Sequence, residues 1–99
     1  MQLSKAEAII ELYGHKGEIL FAIGLNDAII GYDEQSGRVV YSRSMILEIL
    51  EEVHDMSYDE AVRYYDFNIM GNYMGEKSPI YVSDDYPLWL SDQVVTSSD

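Results

Sequence analysis

The chain has 99 residues, no cysteine, and 18 acidic against 6 basic side chains, for a formal net charge of −12. That length allows one domain around one core, and the absence of cysteine excludes a disulfide framework, a thiolate metal site and a cysteine nucleophile. Six scattered lysines and arginines cannot supply the phosphate contacts of a DNA, RNA or anionic-membrane binder, whereas a partner with a basic surface would be steered towards the chain. No apolar run approaches the ~18 residues of a membrane span. The start, Met1-Gln2-Leu3-Ser4-Lys5, lacks a basic-then-hydrophobic signal pattern, so a cytoplasmic location is expected.

In chain order, residues Ser4 to Tyr13 read as a short helix. Ser4 and Glu7 have the form of a capping box, Ile9, Ile10, Leu12 and Tyr13 supply the apolar positions, and Gly14 is a natural stop. The run Ile19 to Ala22 is apolar throughout and leans towards strand. Ala28 to Tyr32 and Arg38 to Tyr41 are β-rich and flank the polar loop Asp33-Glu34-Gln35-Ser36-Gly37, which predicts a β-hairpin.

A second helix follows, with Ser42 or Ser44 as N-cap and Ile46, Ile49, Leu50 and Val53 at the spacing of one buried stripe. Ser57-Tyr58-Asp59-Glu60 is a full capping box that opens a third helix, with Met56 as its staple. Tyr58, Val62, Tyr65 and Ile69 share a face of that helix, and Gly71 is the expected left-handed cap. Pro79-Ile80-Tyr81-Val82 reads as a last strand, with proline at its opening. The expected architecture is α+β: a small antiparallel sheet of about three strands with two to three helices packed on one face. Residues 1–90 form the expected single domain and 91–99 a frayed tail.

No catalytic constellation emerges from this pattern. His15 and His54 have no second histidine at metal-ligand spacing, and no nucleophile elbow, phosphate loop or dinucleotide fingerprint occurs. No cofactor or metal is therefore expected, nor an enzymatic activity. Seven acids crowd residues 48–66, with only Arg63 to offset them. A solvated polar face on two amphipathic helices explains them; an array that docks on a basic protein groove is the functional reading. Nine tyrosines in so short a chain can roof the core or form an interface, because tyrosine buries its ring while its hydroxyl stays wet.

The segment from Phe67 to Pro79 carries Phe67, Asn68, Gly71, Tyr73, Gly75, Glu76, Ser78 and Pro79 in the pattern Phe-Asn-x-x-Gly-x-Tyr-x-Gly-Glu-x-Ser-Pro. Upstream stand Gly24, Asp27, Ala28 and Gly31; Val40-Tyr41; and Met56, Ser57, Glu60 and Ala61. Over about residues 20–82 the package resembles a family of small acidic, uncharacterised proteins of tailed bacteriophages. The resemblance implies a phage or prophage origin and action inside a bacterial cell, and brings no catalytic residue.

The resulting expectation is a non-enzymatic phage-type accessory protein that binds and modulates a bacterial host protein through an acidic, tyrosine-rich surface, as an anti-defence factor or a nucleic-acid mimic would. Glu48, Glu51, Glu52, Asp55, Asp59, Tyr73 and Glu76 are the candidate partner-binding residues. A small-ligand binder built on the turn from Asn68 to Glu76, and an accessory virion or assembly protein using the tyrosines in a homo-oligomer, are the alternatives. Within that turn two roles compete. Asn68 and Glu76 either hydrogen-bond to backbone left open at the helix end, with Gly71 and Gly75 at positive φ, or Tyr73 and Glu76 face outward as a recognition patch.

Overall fold

A computed structural model describes residues 3–84 of the chain. The elements run α1 (Lys5–Tyr13), β1 (Ile29–Asp33), β2 (Arg38–Ser42), α2 (Arg43–Glu52), α3 (Tyr58–Tyr64) and β3 (Ile80–Val82), with short 3₁₀ turns at Gly14–Lys16 and Asn26–Ala28. α3 continues without a break into a π-helical turn, Tyr65–Ile69. The expected tail at 91–99, and residues 85–90 before it, lie outside the described residues.

Local sequence chemistry sets the helix starts. Ser4 Oγ accepts from the Glu7 amide and Glu7 Oε1 from the Ser4 amide; Ser57 and Glu60 repeat the exchange at α3. Each box satisfies two amides that the first turn leaves open. Ser42 caps α2 by accepting the Met45 amide. α1 ends at Gly14 as expected, though Gly14 keeps a right-handed helical φ and the first positive φ comes at Gly17, at 133°.

The three strands form one α+β sheet in the order β1-β2-β3. β1 and β2 are the expected antiparallel hairpin, with Gly37 at φ 72° closing its loop and one extra residue, the exposed Ile30, bulged between Ile29 and Gly31. β3 pairs parallel to β2, so the sheet is mixed rather than wholly antiparallel. The reason is topological: α2 and α3 carry the chain from the end of β2 back to its beginning, and a strand that re-enters after such a crossover runs parallel. Residues 19–22 form no strand. Ile19, Phe21 and Ala22 lie against the core as irregular chain, apolar because one side is covered.

The core joins Ala6 and Ile9 of α1, Ala28 and Ile29, Val39 and Tyr41 of β2, Ile46, Leu47 and Leu50 of α2, and Ala61 and Tyr65. Each fully buried aliphatic here stabilises the fold by about 1.5–3 kcal/mol. Against this core packs the half-buried Tyr81, whose ring lies 5.6 Å from that of Tyr41 and meets that of Tyr65 edge-on at 6.0 Å. Burial beside these two rings pushes the Tyr81 hydroxyl up to about 12.

Several apolar helix positions face water. Ile10 and Leu12 are exposed on α1. Val53 is 71% exposed because α2 ends at Glu52, one residue before the stripe returns to the core; Leu47 is buried instead. Tyr58, at the first turn of α3, is also exposed, whereas Ala61 is fully buried.

Candidate functional site

α2 ends in a tight reversal. The Val53 amide closes on the Ile49 carbonyl and the Met56 amide on the Leu50 carbonyl, while Asp55 between them adopts φ 57°. Left-handed backbone at a non-glycine residue is tolerated best by Asp and Asn. The reversal brings α3 back alongside α2 and leaves His54 and Met56 at the mouth of a groove between them.

That groove has a volume of about 450 Å³. One wall is the irregular segment 21–25. Leu50 and Ile69 supply apolar lining from the helices and Met56 from the reversal, Met74 and Tyr81 add to it, and His54, Asn68 and Asn72 are polar groups within it. A shallower hollow adjoins it, sharing His54, Met56, Tyr64 and Asn68 and adding Asp55, Glu60, Arg63 and Phe67. Large apolar side chains stand open around both: Ile23 is 100% exposed and Phe67 79%.

The irregular wall is held by one buried hydroxyl. Tyr41 Oη accepts the Ala22 amide at 2.7 Å, and burial pushes the Tyr41 hydroxyl up, opposed in part by that bond. The π-helical turn shapes the opposite wall. The Met70 amide reaches the Tyr65 carbonyl at 2.8 Å, a wider loop than an α-helical one, which advances Asn68 and Ile69 around the axis into the groove.

The turn after α3 departs from expectation. Gly71 is not at positive φ; its place is explained by close approach, since a Cβ there would lie 3.2 Å from the Asp66 carbonyl oxygen and 3.3 Å from that of Phe67. Gly75 is at φ 100°, as expected. Among the described residues, neither the Asn68 nor the Glu76 side chain hydrogen-bonds to the open backbone. Ser78 does so instead, its buried Oγ accepting the Met74 amide at 2.6 Å. Arg38 donates to the Ser78 and Pro79 carbonyls and Lys77 to that of Ser36, which straps the turn to the hairpin.

The seven candidate residues fall in two places. Glu48 and Glu52 are exposed on α2 and Glu51 is half-buried there; Asp55 sits in the reversal and Asp59 in the first turn of α3, both exposed. Among the described residues none of these five forms an ion pair; the ion pair there is Lys16 with Glu34. Tyr73 and Glu76 are exposed on the turn after the π-helical segment, Tyr73 at 77%. Asp55 alone of the seven lines a hollow, and Tyr73 stands between two residues, Asn72 and Met74, that line the groove. Sequence reasoning missed Phe21, Ile23, His54 and Tyr64 as site residues, because nothing in their spacing announces that an irregular loop and a helix end will meet.

The fold and its groove define a small α+β protein with an apolar cleft beside unpaired carboxylates. No family model, curated protein or solved structure matches the chain. Among the described residues no three histidine, aspartate or glutamate side chains gather as a metal site, and no helix is long and apolar enough to cross a membrane.

Proposed function

We propose that this chain is a non-enzymatic accessory protein, of the kind that tailed bacteriophages carry, which acts in the cytoplasm of a bacterial host by binding a host protein with a basic surface. The observation that carries the reading is the set of unpaired acids, Glu48, Glu51, Glu52, Asp55 and Asp59, along α2, the reversal and the start of α3. Clustered carboxylates without ion-pair partners repel one another, whereas facing a cationic partner they accelerate encounter and fix its register. Exposed tyrosines, Tyr58 and Tyr64 on α3 and Tyr73 on the turn beyond it, supply the apolar area that interfaces favour.

The test is capture from bacterial lysate at low and high salt, followed by association kinetics with the captured partner. Changing the five acids to Gln or Asn should slow association and flatten its salt dependence. Identical kinetics across salt for the neutralised variant would reduce the acids to a solubilising surface.

A further inference from the structure

The groove and the acids meet at the α2–α3 reversal, and each asks something different of an occupant. The lining of Leu50, Met56, Ile69 and Met74 suits one bulky apolar side chain. The adjoining hollow carries the carboxylates of Asp55 and Glu60 against the single guanidinium of Arg63. Exposed Ile23, on the groove wall, and Phe67, on the hollow, widen the apolar surface over both.

We infer that the groove receives one leucine or tryptophan side chain of a short basic peptide segment, whose flanking lysines or arginines lie against Asp55, Glu60 and the unpaired acids of α2. The inference rests on the acidic surface being a protein-binding face, and adds the anchor that gives it specificity. Charge selects among occupants: a second copy brings another −12, and an anionic ligand meets the same carboxylates. A cationic segment gains from both features at once, with a central buried anchor and a charged rim.

The test is an NMR titration of the methyl-labelled full chain with three synthetic peptides: a leucine-tryptophan pair flanked on each side by two lysines, the same peptide with alanines for the pair, and the leucine-tryptophan pair flanked by glutamates. The first should move the methyl signals of Leu50, Met56, Ile69 and Met74, and the alanine and glutamate peptides should bind at least tenfold more weakly. Phe67→Ser and Met74→Ser, which alter surface-accessible side chains, should weaken the first peptide several-fold without changing the melting temperature. Equal binding of the alanine peptide would overturn the anchor and leave the acidic-face reading standing. No binding of either lysine peptide would sink both. Equal binding of the glutamate peptide, or the same methyl shifts from indole alone, would overturn the proposal by showing an apolar site without charge selection. So would groove shifts on raising the protein concentration, which make a second copy the occupant, or on Trp89→Ser without peptide, which make it the chain's own C-terminal segment.

Discussion

The Ala22 amide donates to the Tyr41 hydroxyl at 2.7 Å, and this one bond joins a loop without secondary structure to a side chain with no exposed surface. Tyr41→Phe keeps the ring and removes the acceptor. The loss should be about 1–3 kcal/mol, the penalty of an amide left unsatisfied in a covered place. Chemical denaturation measures it, and hydrogen exchange at residues 21–25 should accelerate more than in β2. Uniform acceleration would mean that the bond does not hold the groove wall separately.

Leu50 and Val53 test where α2 stops facing the core. Leu50→Ala should cost about 2–5 kcal/mol, as for buried aliphatics generally, because Leu50 is buried between the core and the groove. Val53→Ala should fall within about 0.5 kcal/mol of the parent, as exposed substitutions do. Similar losses at the two positions would place Val53 inside the stripe after all.

Asp55 combines two properties that substitution separates. Asp55→Gly removes the charge and relieves a left-handed backbone, so stability should hold or rise by up to about 1 kcal/mol. Asp55→Val keeps the strain and adds β-branching, and should lose about 1–2 kcal/mol. If both variants lose the same binding to a basic partner while their melting temperatures diverge, the carboxylate serves the partner and not the turn.

Asp84 gives the fold an acid limit. Burial pushes its carboxyl up, but hydrogen bonds from Ser42 Oγ and from the Ser44 amide outweigh this and hold it below the usual carboxylate range. The folded value being depressed, the stabilisation is complete above the unfolded value of about 4 and is lost as pH falls through the folded one. Asp33 adds to the same window through Ser36 Oγ, with lesser help from the amides of the hairpin loop. The melting temperature should therefore drop below about pH 4, and Asp84→Asn should flatten that drop while lowering stability at neutral pH. An unchanged profile would remove the link between β3 and the start of α2.

What the sequence determined by itself is local. Capping boxes at Ser4 and Ser57, the N-cap at Ser42, the hairpin loop ending in Gly37 and the positive φ of Gly75 depend on contacts within a few residues, which neighbouring side chains dictate. The charge of −12 and its crowding on residues 48–66 are equally plain in the sequence. The tertiary structure decided what lies across distance. β3 runs parallel because of how α2 and α3 return the chain, and residues 19–22 stay irregular, with the Ala22 amide donating to the Tyr41 hydroxyl rather than to a neighbouring strand. Gly71 answers to the Asp66 and Phe67 carbonyls of a π-helical turn instead of to a left-handed cap. The groove exists only where segment 21–25, the α2–α3 reversal and the turn at 72–74 converge, and no periodicity along the chain encodes a meeting of three pieces so far apart in it.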